Sequence, residues 1–323
     1  MEFHPAPYLL KQASVSRVML TVGAALIPGV IAYVAFFGPG ILLTLAIASV
    51  AALVFEALML HLRSKPQALF LKDGSALLTT WLLALSLPPT APWWLVLVGV
   101  FFAIVIAKHL YGGLGQNPFN PAMVGFAVCI VSFPALMGQW PGVDALTAAT
   151  PLDHLKTALK LAEGLGQVGQ ITTDRSVYGQ IAGRGWEWIA AAYLAGGVAL
   201  IGLRVITWHI PLAFLAVTVL FSGGLWLYDP TAFASPLFHL FAGATMLGAF
   251  FIATDPVSGA TTPRGKLIFG AGCGLLAMII RVFGGYPDGI AFAVLLMNLC
   301  TPIIDMFTQP PVFGMKDGRE DAR

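Results

Sequence analysis

The sequence predicts an all-α polytopic membrane protein of about ten transmembrane helices, arranged as two inverted five-helix repeats. Three observations predict it. Of the 323 residues, 58% are hydrophobic and only 10% charged, against about a quarter charged in soluble domains. The mean hydropathy is +0.85. The apolar residues also fall into runs close to the roughly 20 residues that cross a bilayer as a helix, separated by short segments rich in Gly, Pro and charge. A chain this poor in charge cannot cover itself with solvated groups, which excludes a soluble enzyme. The net charge of +2 and the lack of a basic stripe interleaved with aromatics speak against nucleic acid as a partner. The 35 glycines fit close helix packing and broken helices. Residues 1–17 are mixed and polar with no cleavage-like site, so the first span is expected to act as its own targeting signal.

Taken in order, the first span runs from Val18 to Phe37 and ends at Gly38-Pro39-Gly40. Ile41–Leu60 is the second, followed by a polar hinge, His61–Gly74. Ser75–Leu87 is apolar but short, closed by Pro88-Pro89, and reads as a broken helix. Trp93–Ala107 is the fourth, with Trp93 and Trp94 as interfacial anchors. A Gly- and Asn-rich stretch from Lys108 to Pro121 leads into the fifth, Ala122–Leu136. A long polar connection, 137–185, then precedes Trp186–Leu203, Ile210–Tyr228, Leu237–Ala253, Leu267–Phe283 and Gly289–Phe307. The chain therefore divides into an N-terminal membrane half (1–136), the connection (137–185), and a C-terminal membrane half with a short tail (186–323).

Lys and Arg in short loops set orientation. With a cytoplasmic N-terminus, the inner segments collect Lys11, Arg17, Arg63, Lys65, Lys72, Lys108, Arg204, Arg264, Lys266, Lys316, Arg319 and Arg323, while the short outer loops at 38–40, 88–92 and 229–236 have none. Both termini are thus expected in the cytoplasm and the 137–185 connection in the periplasm, in a cell inner membrane. Each half has five spans, so the halves are expected to run oppositely through the bilayer. Tyr111-Gly112-Gly113 before the fifth span is echoed by Phe283-Gly284-Gly285 before the tenth. Transporters built this way hold ligands at the repeat interface.

The candidate chemistry lies in Asp144-Ala-Leu146-Thr147-Ala-Ala149-Thr150-Pro-Leu-Asp153. Small residues leave the Thr150 hydroxyl uncrowded, and Pro151 disfavours a helix directly before it. The segment resembles the acceptor motif of a bacterial FMN transferase, Asp-x-x-Ser/Thr-Gly-Ala-Thr, with Ala148 where Gly is usual. That resemblance implies FMN in phosphoester linkage on Thr150, with Asp144, Leu146, Thr147 and Ala149 forming the recognised surroundings. Asp255-Pro-Val-Ser-Gly-Ala-Thr261 fits the same pattern, but lies on the expected cytoplasmic side, beside Arg264 and Lys266, where it reads as a turn. A second candidate is Gly112, Gly113, Asn117 and Asn120. The glycines let backbone approach a ring closely, and the asparagines offer amide donors and acceptors; equally, the asparagines can cap the helix that starts at Pro121.

Other polar residues read more plainly. Glu56 and Asp305 fall about a turn inside helix ends, Lys108 can snorkel, and no carboxylate lies at a span centre. His109, His154, His209 and His239 sit at helix ends or in loops, where packing is expected. Lys156, Lys160, Arg175 and Arg184 are expected on a solvated face of the connection. Cys129, Cys273 and Cys300 are far apart and apolar in setting, the pattern of buried thiols.

Several longer blocks extend the resemblance: Lys72-Asp-Gly-Ser-Ala-Leu-Leu-Thr79, Tyr111 to Gly125, Ala149-Thr-Pro-Leu-Asp153, Thr254-Asp-Pro-Val257 and Phe283 to Phe292. They resemble the RnfD family of the Rnf (Rsx) electron-transport complex, from Pro7-Tyr8 through Asp305. The sister family is the NqrB component of the sodium-pumping NADH:quinone oxidoreductase, whose longer amino-terminal extension is absent here. The resemblance implies a membrane flavoprotein subunit of a complex that couples electron transfer between NADH and ferredoxin to ion translocation. It implies covalent FMN on Thr150 and a non-covalent riboflavin within the membrane part. The implied partners are other membrane and peripheral subunits, including an iron–sulfur subunit and a second covalent-flavin subunit, with an FMN transferase for maturation. Two other readings remain: a small-solute channel or secondary transporter using the inverted repeat, and a quinone-reducing sodium-pump component.

Overall fold

The computed structural model describes residues 14–143, 147–161 and 167–310. Among them the secondary structure is helical, with no β-strand. Asp144 and Leu146 of the acceptor segment lie outside the described residues. Helix α1 (Val15–Phe37) starts where the Ser14 side chain accepts from the Arg17 N–H at 3.3 Å, and stops at Gly38, whose φ of +82° a side chain would resist. Helix α2 is Gly40–Leu62; α3 (Gln67–Phe70) and a 3₁₀ turn, Leu71–Asp73, lead to α4 (Ser75–Ser86). Helix α5 (Trp93–Phe101) continues as a π-helix, Phe102–His109, and α6 (Pro121–Ser132) is followed by one turn, α7 (Pro134–Met137). The connection contributes α8 (Pro151–Leu161) and α9 (Val168–Ile171). The second half comprises α10 (Trp186–Gly202), α11 (His209–Tyr228), α12 (Pro236–Phe241), α13 (Thr245–Leu247) with a π-turn Gly248–Ile252, α14 (Pro263–Phe283) and α15 (Ile290–Thr308).

Five of these helices, α1, α2, α11, α14 and α15, are long and apolar enough to cross a membrane, and four shorter apolar helices accompany them. The remaining crossing is broken. Leu237–Ala253 reads as one span in the sequence, but α12 ends at Phe241 and the chain resumes helix only at Thr245, with Gly243 at φ +64° between them. The first half has the same device, since Gly74 at φ +77° directly precedes α4. Leu43, Leu220 and Leu299 face outward and are more than half exposed, as lipid-facing side chains are.

The halves are built alike. In the first, α4 packs on α1 and α2, α2 on α5, and α5 on α6; in the second, α13 packs on α10, α12 on α11, α11 on α14, and α14 on α15. The halves meet where like meets like, α1 against α10 and α6 against α15. Small residues permit the closest approaches: a Cβ on Gly196 would collide with the Ala25 carbonyl, and one on Gly274 with that of Phe214.

Helix starts follow one rule repeatedly. Asn120-Pro121, Ser235-Pro236 and Thr262-Pro263 each pair a side-chain cap with proline at the first turn. The α14 start therefore lies at Pro263, four residues earlier than Leu267, because Thr262 accepts from the Gly265 N–H at 2.9 Å. The connection is more than a polar loop. Leu152, Leu155, Val168, Tyr178 and Ala182 form a small core with Phe238 and Ala242 of the second half.

Candidate functional site

Thr150 is the cap of α8. Its Oγ1 accepts from the Asp153 N–H at 3.2 Å, its carbonyl from the His154 N–H at 2.8 Å, and Pro151 opens the helix. Just before it, Ala148 and Trp140 exchange backbone hydrogen bonds of 2.6 and 3.2 Å, with Thr147 and Ala149 exposed and Thr150 half-buried. The hydroxyl therefore lies on a braced turn, not on a slack segment.

Thr150 also lines a cavity of about 130 Å³. Aromatic walls come from both halves and from the connection: Tyr33, Phe126, Trp140, Trp186 and Tyr193. Trp186 lies edge-on to Tyr33 and to Trp140, with ring centroids 5.8 and 5.3 Å apart. The polar groups of the lining are mostly committed. Ser86 Oγ donates to the Leu82 carbonyl at 2.8 Å, and Asp288 accepts from Arg281 at 3.0 Å and from the Ala244 N–H at 2.8 Å. The Tyr33 hydroxyl is buried and has no hydrogen-bond partner among the described residues.

Lys156 does not lie on a solvated face. Its Nζ donates to the carbonyls of Ile280, Arg281 and Tyr286 at 3.4, 3.0 and 2.8 Å, closing the C-terminal end of α14 from the connection. Burial, reinforced by nearby Lys160 and Arg281 and opposed by Asp153, holds its ammonium below the usual lysine pKa. His154 likewise pairs with Tyr178 Oη at 3.0 Å, and burial pushes that phenol up. Replacing Lys156 with Met should leave those carbonyls without their donor and undock α8. The expected result is proteolytic nicking within 137–185 at least several-fold faster than in the wild-type chain, read by limited proteolysis.

The opposite side carries a larger cavity, about 400 Å³. Ser75, Lys108, Asn117, Asn120, Asp255 and Thr261 are among its lining. Asn117 and Asn120 thus come together, while Gly112 and Gly113 are not among the lining. They form a turn at φ +126° and +96°, held by Arg63 Nη2 donating to the Gly112 carbonyl at 2.7 Å. Asn120 is spent within the protein. Its Oδ1 accepts from the Met123 N–H at 3.2 Å, its Nδ2 donates to the Ile252 carbonyl at 3.0 Å, and its own N–H donates to Asn298 Oδ1 at 2.9 Å. An Asn120→Leu change breaks the cap and strands the Ile252 carbonyl between the halves. The expected loss is about 1–3 kcal/mol, read as a lowered thermal midpoint of the purified chain. Thr261 Oγ1 donates to Asp305 at 3.0 Å, and the Asp255 carboxylate accepts from Ser258, with burial holding its pKa above the usual value.

The charged residues depart most from what the sequence suggests. Lys108 does not snorkel. Its Nζ lies 2.8 Å from Glu56 Oε1 and 2.9 Å from Ser75 Oγ, and both charged side chains are almost fully buried. His109 is no packing residue either, with Nε2 at 2.9 Å from Glu56 Oε2 and Nδ1 at 3.1 Å from Arg63. The second half repeats the arrangement on the other side. Buried Arg281, also at the end of a fourth span, donates to Thr245 Oγ1 at 2.9 Å and pairs with Asp288. In each half a cation meets a hydroxyl in the first turn of the broken third span. A cation three or four residues before each Gly-Gly pair was the available signal. The two cavities lie back to back: Ala122 and Phe251 line the larger one, and their neighbours Met123 and Ile252 the smaller.

The model of the NQR2, RnfD, RnfE family matches residues 2–314. The chain is 47% identical over 349 residues to the D component of the ion-translocating oxidoreductase complex of Erwinia tasmaniensis, covering 97% of this chain and 98% of the relative. It is 48% identical over 348 residues to the component of the same name from an Escherichia coli strain, again covering 97% and 98%. The Yersinia enterocolitica protein of that name is 47% identical over 355 residues, covering 99% of this chain and all of the relative.

Proposed function

The chain belongs to the NQR2, RnfD, RnfE family, and from that premise we propose that it serves as the RnfD component of an ion-translocating oxidoreductase complex, carrying FMN as a phosphoester on Thr150 and a non-covalent riboflavin in the larger cavity. The complex would couple electron transfer between NADH and ferredoxin to ion movement. Iron–sulfur clusters, a second covalent flavin and the NADH site belong, on this reading, to partner subunits, and an FMN transferase loads Thr150. The membrane is the inner one, with both termini cytoplasmic and the 137–185 connection periplasmic.

One observation carries the reading: the Thr150 hydroxyl stands at a helix N-terminus on the wall of a cavity lined by aromatic rings. The residues present fit the group. The first turn of α8 favours a phosphodiester's negative charge through its backbone N–H groups and dipole. Trp140, Trp186 and Phe126 offer faces and edges for a planar ring. The flavin supplies the redox chemistry, and the chain supplies position, water exclusion and electrostatics. In the larger cavity, Ser75, Asn117, Thr254 and Asp255 provide the polar lining that a sugar-alcohol chain needs, close to the Lys108 ammonium.

Peptide mass spectrometry of the 142–156 segment, from cells that contain the transferase, tests the proposal. An FMN adduct on Thr150 is the expected result. An unmodified segment, or an adduct on Thr261 instead, would overturn it.

A further inference from the structure

Thr150 is held more tightly than a modification site needs. Its Oγ1 takes the Asp153 N–H at 3.2 Å, and the two-way pairing of Ala148 with Trp140 fixes the backbone just before it. Pro151 and Leu152, directly after it, are buried. A Cβ on Gly183 would collide with the Pro151 ring, and one on Gly243 with the Leu152 side chain. The first turn of α8 is thus wedged between the connection and the break after α12, with no room for a methyl group on either side. Leu152 and Leu155 enter the small core with Phe238 and Ala242. One turn further, Lys156 Nζ grips the carbonyls of Ile280, Arg281 and Tyr286 and ties α8 to the end of α14.

Transfer to Thr150 needs room that this packing does not leave. A free FMN monoester is not activated, so the donor is a flavin dinucleotide. The Thr150 oxygen attacks its flavin-side phosphorus. A P–O bond forms as the phosphoanhydride bond breaks, the nucleoside monophosphate leaves, and the hydroxyl proton passes to a base of the transferase. Attacking and leaving oxygens stand roughly in line, so the enzyme's cleft and the donor must close around the hydroxyl and the residues beside it. In the docked chain Pro151 and Leu152 are already packed against protein. Resting on the reading of Thr150 as the FMN carrier, we propose that transfer takes place while α8 is lifted off the bundle as an intact, capped helix, and that Lys156 is the latch that afterwards closes it. Flavin loading then precedes docking of the connection. The phosphodiester charge it leaves at the N-terminus of α8 is favourable there.

The test uses the full chain purified from cells that lack the transferase, incubated with purified transferase and the flavin dinucleotide. In-gel flavin fluorescence is followed in time, and the adduct is located by peptide mass spectrometry. Lys156→Met should load Thr150 about tenfold faster than wild type, the equilibrium equivalent of one lost charge-assisted bond, and reach the same end point. Gly183→Ala, which pushes on Pro151 from the other side, should also speed loading. Glu56→Gln loosens the opposite side of the fold without touching α8 and should load at the wild-type rate, which tells unlatching apart from general instability. A Lys156→Met chain that loads no faster than wild type overturns the latch and leaves the attachment reading intact, whether or not its connection is nicked faster by protease. Equal acceleration by Glu56→Gln does the same. No adduct on any of these chains, nor on the complex from cells containing the transferase, overturns both.

Discussion

Thr150→Ala is expected to abolish in-gel flavin fluorescence and the FMN adduct together, a loss of more than about tenfold against wild type, each tenfold being about 1.4 kcal/mol in an equilibrium. Alanine removes the only oxygen at that position able to form the phosphoester. It also removes the cap of α8, the 3.2 Å bond from the Asp153 N–H, at about 0.5–2 kcal/mol. The two losses must be separated, because a frayed α8 would also present a poorer substrate to the transferase. Thr150→Asn does this. Asparagine caps as well as threonine or better, yet has no hydroxyl to esterify, so it should keep 137–185 resistant to protease and still give a dark band. Thr150→Ser keeps both functions and should retain label. A fluorescent Thr150→Asn protein would move the attachment point elsewhere, first to Thr261.

The largest stability effect is expected from Glu56→Ala. The carboxylate meets Lys108 at 2.8 Å and His109 at 2.9 Å, with side-chain exposures of 2–3% on the ion pair. Removing one partner of a buried pair leaves a bare charge and typically costs about 3–5 kcal/mol. Ser75 Oγ, at 2.9 Å from the ammonium, is too weak an acceptor to replace it. The expected result is a steep fall in the thermal midpoint and in the yield of assembled protein. Glu56→Gln combined with Lys108→Met should recover most of the loss, because no uncompensated charge then remains. If Glu56→Ala alone unfolds at the wild-type temperature, the pair is not buried as described.

The tertiary structure explains why these charges sit there. Lys108 closes the end of one fourth span and Arg281 the end of the other, each against the broken helix of its own half. A cation beside the positive end of a half-helix is unfavourable, so each needs its carboxylate, Glu56 or Asp288. In the sequence Glu56 and Lys108 look like two unrelated charges near helix ends. They are 52 positions apart, and periodicity within a helix says nothing about a partner on another.

Much is legible from one dimension because local physics decides it. The apolar runs, the Gly and Pro stops and the Gly-Gly echo each depend on neighbours within a turn or two. The break at Gly243 is hidden because a lone glycine in an apolar run is ordinary, and only packing of Arg281 and Asp288 around it reveals the gap. Asn120 can be read as cap or as ligand. The structure shows it capping and bonded to Asn298, 178 residues on.

From the sequence alone come the membrane class and the helical runs that build it, since a bilayer selects on length and hydropathy. Only the tertiary structure decided which polar groups are satisfied and which are left over. Hydrogen bonds and ion pairs are met across helices, between residues whose separation along the chain carries no information about their separation in space. That is why Lys108 proved to be paired and Lys156 engaged, and why Tyr33, unremarkable in the sequence, has a buried hydroxyl with no partner among the described residues.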